Sequence, residues 1–219
     1  MLDALSTRER SALLRVGVRR RFARGEVVFH EGDPGDSLHV VTHGAFIARS
    51  SSTMGEVIGV NVFGPGDVFG EMVLLTPGAR RSATVVSHGH GATLMIARGS
   101  FDALRASETN IDRVLLSVLA ERNRTLTAHL VELLFTPVEQ RVCRQLLAFA
   151  RAAGVMSPEG WVGLNQADLA ILAGTTRSTV NRVLRRAEDR GLVELGRGRI
   201  RVVDEPALRR RAEATTWVA

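Results

Sequence analysis

Lysine is missing altogether, so all 29 Lys/Arg positions are arginine. No single arginine is therefore informative by its type, and only the placement of positive charge carries meaning. Cysteine is nearly as scarce. One residue, Cys143, excludes an internal disulfide framework and cannot build a cysteine cage for zinc or an iron–sulfur cluster. No apolar run approaches the length of a membrane-spanning helix, so no membrane partner is expected. The opening MLDALSTRER lacks the apolar core of a signal peptide, which makes the cytoplasm the expected compartment. No Ser/His/Asp set, Walker sequence or paired-carboxylate arrangement stands out, and no enzyme is expected. His88-Gly89-His90 reads as a loop without a third ligand at a suggestive spacing, so no metal is expected there.

What is present falls into two differently charged parts. Residues 1–135 hold 15 Arg against 14 acidic residues, a net of +1, and residues 136–219 hold 14 against 9, a net of +5. The C-terminal part thus carries most of the positive charge, as a surface that meets phosphate would. Between them lies ETNIDRVLLSVLAERNRTLTAHLVELLF, residues 108–135, with no Gly or Pro. The apolar positions Ile111, Leu115, Val118, Leu119, Leu126, Leu130 and Leu133 recur at three or four, interrupted by Arg122 and His129. This predicts one long helix of roughly 42 Å. Its stripe needs a partner, which is its own domain, its copy in a dimer, or both; pairing with a copy is the expectation.

Before the helix, Ser6-Thr7-Arg8-Glu9 has the spacing of a capping box. From Arg24 onward glycines punctuate short β-rich runs at 27–29, 38–41, 45–47 and 57–60, and two more follow at 83–86 and 92–97. Their length and spacing predict an antiparallel barrel or sandwich. Ser100 is expected to cap a short helix leading into the long one. One segment, Phe69–Thr84, does not read as plain strand. Gly70 permits close backbone approach, residues 71–75 suit one helical turn with free N–H groups, and Arg81 with Ser82 returns a charged fork and a hydroxyl. That set suits a phosphate, and Glu71 suits a sugar hydroxyl; the bland alternative is a surface turn with a solvated Arg pair.

After the long helix, Pro137 marks a break and an expected hinge. Cys143 is expected as a buried helix residue. The stretch Leu164–Leu184 then meets five constraints together. Asn165 caps one helix with Asp168 at its third position, and Ala170 is small where two helices cross. Gly174 makes the turn, and Thr176 caps a second helix with Val180, Val183 and Leu184 inward. This is helix-turn-helix spacing, and the hairpin over 192–203 supplies a wing. The second helix presents Arg177, Ser178, Asn181 and Arg182, with Arg185 and Arg186 further on. Its N-terminal part enters the major groove, so Arg177, Ser178 and Arg182 are the base-reading candidates. Thr176, Arg185 and Arg186 are backbone candidates, as are Arg197 and Arg199 in the wing. Arg209–Arg211 reads as a solvated basic tail.

The order GDPGDSLHVVTHGAF, FGPGDVFGEM, RRSAT, followed by the long helix and the C-terminal motif, resembles the catabolite activator (CRP/FNR) family of bacterial transcription regulators. The resemblance implies an α+β chain. Residues 1–107 would form a jelly-roll β-barrel sensor, 108–136 a dimerisation helix, and 137–219 a winged helix-turn-helix domain. It further implies that Glu71 takes a ribose hydroxyl, that Arg81 and Ser82 take a cyclic phosphate, and that Gly70 and Met72 contribute backbone. In the cAMP-responsive members a Thr followed by Ser or Asn meets the adenine. This chain has Leu126 and Thr127 there, so Thr127 is the candidate contact. Ser178 stands where the family commonly has Glu, so one base pair is expected to be read differently or not at all. The expected function is a homodimeric, sequence-specific regulator of double-stranded DNA with a near-palindromic operator and RNA polymerase as a further partner. Its possible effector is a cyclic nucleotide, cAMP or cGMP, with no cofactor required. The alternatives are an adaptor without DNA function and a ligand-independent DNA binder of the same fold.

Overall fold

The computed structural model describes residues 5–76, 78–108, 110–156 and 160–213. Pro77, inside the segment 69–84, and Thr109, inside the stretch 108–135, lie outside the described residues. The chain forms two compact units, residues 1–50 with 62–127 and residues 51–61 with 128–219.

In the first unit, α1 (Thr7–Val16) opens on the expected capping box: the Ser6 side chain accepts from the Glu9 amide, and the Glu9 carboxylate accepts from the Ser6 amide at 2.8 Å. Then come β1 (Val18–Phe22), β2 (Val27–Phe29), β3 (Ser37–Ser51), β4 (Val57–Phe63, of which 57–61 belong to the second unit), β5 (Val68–Phe69), α2 (Met72–Leu75) and β6 (Thr84–Ala97). The sheet order is β1-β6-β3-β4, with β2 added to β6 and β5 to β3. Two pairs of expected strands are single strands. The runs 38–41 and 45–47 join as β3, and 83–86 with 92–97 join as β6. Register shifts on either side of His43, which lies opposite Ala92 while Ala45 lies opposite His88, absorb the polar step as a bulge instead of a turn. His88-Gly89-His90, expected as a loop, therefore lies within β6.

The barrel interior is aromatic. Phe46 and Phe69 are fully buried, and Phe22, Phe29 and Phe63 join them in ring contacts. His39 belongs to this cluster. It stacks on Phe69 at 5.1 Å, and its Nδ1 lies 3.0 Å from the buried Thr93 hydroxyl.

After β6, α3 (Arg98–Ser107) starts two residues before the expected Ser100 cap; Ala97 is its N-cap and makes no side-chain cap bond. Glu108 is the extended C-cap of α3, so the long helix α4 runs Ile111–Phe135 and not from Glu108. Its buried residues are Ile111, Val114 and Leu115, all in the first turns. Further along, Leu126, Leu130, Val131, Leu134 and Phe135 are exposed, Phe135 at 79%.

In the second unit, α5 (Val138–Ala152), β7 (Trp161–Val162), α6 (Gln166–Leu172), α7 (Arg177–Glu188), β8 (Val193–Gly196), β9 (Arg199–Val202) and α8 (Glu205–Glu213) follow. The small sheet has the order β7-β9-β8, one strand more than the hairpin expected. Cys143 is buried on α5, and burial pushes its thiol up to about 11. The expected solvated tail at Arg209–Arg211 is instead part of α8. Leu208 and Ala212 bury against the domain, Arg209 pairs with Glu205, and Arg211 pairs with Glu139 at 3.0 Å. The break at Pro137 is tied by Arg141. Its guanidinium donates to the Leu133, Thr136, Ala173 and Gly174 carbonyls at 2.9–3.3 Å, joining the end of α4 to the turn after α6.

Candidate functional site

Two sites emerge, one in each unit. The first is the segment 69–84 of the barrel. Gly70 has φ +80°, and a Cβ there would stand 2.5 Å from an Arg81 nitrogen, so only glycine lets that arginine approach. Glu71 precedes α2 and is 0% exposed. Arg81 is 5% exposed: its Nη1 donates to the Ser37 carbonyl at 2.7 Å and the Gly70 carbonyl at 3.0 Å. Its Nη2 donates to the Ser37 hydroxyl at 3.2 Å, and the group lies 4.0 Å over the Phe29 ring. Burial lowers the Arg81 pKa, while Asp36, Asp33 and Glu71 oppose that shift. Ser82 and Met72 are exposed at the rim, with the hydroxyl 3.7 Å from the thioether.

Two buried polar atoms of this segment have no hydrogen-bond partner among the described residues: Glu71 Oε2, an acceptor, and Arg81 Nε, a donor. A buried polar group left open is costly unless something completes it. A ligand with a hydroxyl and an anionic oxygen would satisfy one each, so the residues fit a phosphorylated sugar. Other members of the segment are held from the helices. Arg122 of α4 donates to Glu71 Oε1 and, at 2.5 Å, to the Val68 carbonyl, with its guanidinium 5.2 Å from the Phe63 ring. Arg122 is thus the α4 side chain that bonds to Glu71. Thr127 is exposed, and its hydroxyl faces Asn123 on its own helix at 3.4 Å. Sequence reasoning took Arg122 as a flaw in the apolar stripe; its position in register with Leu115, Val118 and Leu119 of that stripe was the only clue.

The second site is the helix-turn-helix. The Asn165 side chain accepts from the Asp168 amide at 2.8 Å, and the Thr176 hydroxyl accepts from the Thr179 amide at 3.2 Å. Gly174 has φ +57°, as the turn requires, and a Cβ there would stand 2.4 Å from Leu133. Arg177, Ser178 and Arg182 are exposed on α7, and Arg197 is exposed between β8 and β9. Arg185 and Arg186 are exposed but paired, with Glu188 at 2.7 Å and Glu139 at 2.6 Å. Asn181, expected on the exposed face, is half-buried and donates to the Gln166 side chain at 3.1 Å. Arg177, Asn181, Gln166, Leu195 and Arg199 line a cleft of about 450 Å³ between the two helices and the wing. Arg199 lies 4.2 Å over Trp161, a platform the sequence did not reveal.

A β-barrel that holds a buried carboxylate and a buried guanidinium with open hydrogen-bonding atoms, joined in one chain to a winged helix-turn-helix, is the architecture of a sensor-type transcription regulator. Residues 19–108 match the cyclic nucleotide-binding domain family, and residues 140–211 match the Crp-like helix-turn-helix domain family. The "CRP-like cAMP-activated global transcriptional regulator" of Mycobacterium tuberculosis is 35% identical over 200 residues, covering 87% of this chain and 86% of that protein. The "Cyclic AMP receptor protein" of Thermus thermophilus is 33% identical, covering 84% and 83%. The solved structure of FixK2 from Bradyrhizobium japonicum shares the fold, with a TM-score of 0.77 at 21% identity over 92% of this chain and 100% of that one. The chain belongs to the CRP/FNR family of DNA-binding transcription regulators and is not an enzyme.

Proposed function

We propose that the chain is a homodimer whose operator affinity is set by a cyclic nucleotide, cAMP or cGMP, held in the barrel. Residues 1–107 act as sensor, 108–136 as dimerisation helix and 137–219 as DNA-binding domain. The observation that carries the ligand reading is the buried open pair, Glu71 Oε2 and Arg81 Nε, within one segment. Glu71 takes a ribose hydroxyl, Arg81 and Ser82 take the phosphate, and Gly70 and Met72 border it; Thr127 is the proposed base contact. Relatives named as cAMP-activated support the ligand class. Calorimetric titration with cAMP, cGMP and a dinucleotide panel tests it. Arg81→Ala is expected to weaken nucleotide binding about a hundredfold, since charge-assisted hydrogen bonds are worth about 1.5–3 kcal/mol each. Unchanged affinity would place the ligand elsewhere.

Dimerisation is supported by the exposed Leu126, Leu130, Leu134 and Phe135 on one long helix, an apolar run that water covers poorly. A two-fold dimer presents two recognition helices about 34 Å apart and calls for a near-palindromic operator. Sedimentation of the full chain tests this. RNA polymerase is proposed as a further partner, and the cytoplasm as the compartment, on the family likeness.

On DNA, Arg177, Ser178 and Arg182 are the proposed base readers, with Thr176, Arg185 and Arg197 on phosphates. Asn181 acts through Gln166. Arg177→Ala or Arg182→Ala should cost about 1–3 kcal/mol on the operator and relax one base pair. Arg197→Ala should weaken all sequences alike and lower the salt slope by about one. Equal loss on operator and random DNA for Arg177→Ala would put the wrong face in the groove. The operator comes from genomic selection with the purified protein.

One observation favours a second reading, a ligand-independent binder of the same fold. Arg81 is already bonded to Ser37 and Gly70, and Glu71 to Arg122. Operator affinity that does not change with saturating nucleotide, in wild type and in Arg81→Ala alike, selects that reading.

A further inference from the structure

Helix α3 begins with a residue that works against it. Arg98 is its first residue, Ala97 before it makes no side-chain cap bond, and a cation at a helix N-terminus faces the positive end of the dipole. The charge is used elsewhere. The Arg98 guanidinium donates to the Val73 carbonyl, to the Leu74 carbonyl at 3.3 Å and to the Gly35 carbonyl at 3.4 Å. Its backbone amide donates to the Asp36 carbonyl at 2.6 Å.

Val73 and Leu74 are the two inner residues of α2, which has only four residues, so most of its carbonyls have no partner within the helix. The Thr76 amide takes the Met72 carbonyl, and Arg98 takes the next two. A cation at this end also meets the negative pole of α2. The other end of the helix is held by Arg122 through Glu71 and Val68. The short helix beside the anion site is therefore gripped at both ends by guanidinium groups, one from α3 and one from α4.

We infer that Arg98 is a positioning residue that makes α2 and the start of α3 move as one body. A shift of α2 on ligand binding is then passed to α3, and so toward α4, through the Val73 and Leu74 carbonyls. Contact between ligand and α4 is not needed for this. The ligand half of the inference rests on the nucleotide reading above; the clamp itself does not.

The test is amide hydrogen exchange on the full-length chain, in wild type, Arg98→Met and Arg98→Lys, free and with saturating cAMP. In the free Arg98→Met protein the amides of residues 74–76 should exchange about tenfold faster, because charged hydrogen bonds to the end of α2 are gone. The amides of 101–107 should exchange no faster, because the substitution removes an unfavourable charge from the start of α3. That contrast separates a clamp from general loosening. Lys keeps the charge without the fork and should fall between. With cAMP, wild type should gain protection in both α2 and α3, and Arg98→Met in α2 only. Wild-type exchange at 74–76 in free Arg98→Met, or undiminished α3 protection with cAMP, overturns the inference. If cAMP binds to no form, the nucleotide reading fails, and the free-protein comparison alone decides the clamp.

Discussion

Arg122→Met should destabilise the barrel unit by about 3–5 kcal/mol, read as a fall in the midpoint of its urea transition. The reason is what the substitution leaves behind. The Glu71 side chain is 0% exposed and Arg122 is its ion-pair partner. Glu71 Oε2 already has no hydrogen bond, so the loss of Arg122 strips the remaining oxygen as well. It also frees the Val68 carbonyl and removes the cation beside Phe63. A buried carboxylate in that position is far costlier than a missing contact. Glu71→Gln should therefore be milder, and the double substitution should recover most of the loss, because two neutral groups then face one another. A single-variant effect below about 1 kcal/mol would mean that water reaches Glu71. The functional corollary is separate from the stability effect. Glu71→Gln keeps the shape of the site but loses an acceptor for a hydroxyl donor, so nucleotide affinity should fall even where the fold survives.

The helix-turn-helix was legible because its determinants are local. Asn165, Asp168, Gly174 and Thr176 act within a few residues of themselves, and the backbone takes the conformation each demands. That the segment 69–84 is not plain strand was legible for the same reason: Gly70, Glu71 and the Arg81-Ser82 pair sit within one short stretch, and a helical turn forms inside it. What failed were features decided at long range. Arg122 meets Glu71 across 51 positions, and no periodicity argument can see that partner. Read within its own helix, it only looked like a weak point in a seam. Arg98 was hidden in the same way, because the helix it serves is not the helix it begins. Strand boundaries were misjudged where a bulge imitates a turn, since Gly44 and the His88-Gly89-His90 step carry turn-type residues inside continuous strands. Arg209–Arg211 failed because Leu208 and Ala212, spaced by four, were outweighed by three charges in a row.

Between pH 6.5 and about 4 the barrel unit should lose roughly 3 kcal/mol of stability through a single residue, His39. Burial above all, with the charges of Arg81 and Arg20, lowers the His39 pKa from 6.5 to about 4 against the opposing charge of Asp36. The unfolded chain therefore binds a proton throughout that window and the folded chain does not. Protons favour the unfolded state, so the stabilisation is complete above pH 6.5 and is lost as pH falls toward 4. The ring cannot escape by turning outward. It is stacked on Phe69, flanked by Phe22 and Phe29, and bonded to Thr93, which is itself fully buried. His39→Gln keeps a partner for Thr93 without a group that titrates here. Urea midpoints measured at several pH values should show the wild type falling steeply across the window and the variant nearly flat, even if the variant starts lower. Carboxylates with lowered pKa, such as Glu9, act at the acid end and are common to both proteins, so the difference curve isolates His39. Parallel curves would mean that the folded barrel admits the proton. The consequence reaches the segment 69–84, because Phe69 under the imidazole leads directly into Gly70, whose carbonyl holds Arg81. Acid should therefore loosen the segment 69–84 before it unfolds the helix-turn-helix, whose described core contains no histidine.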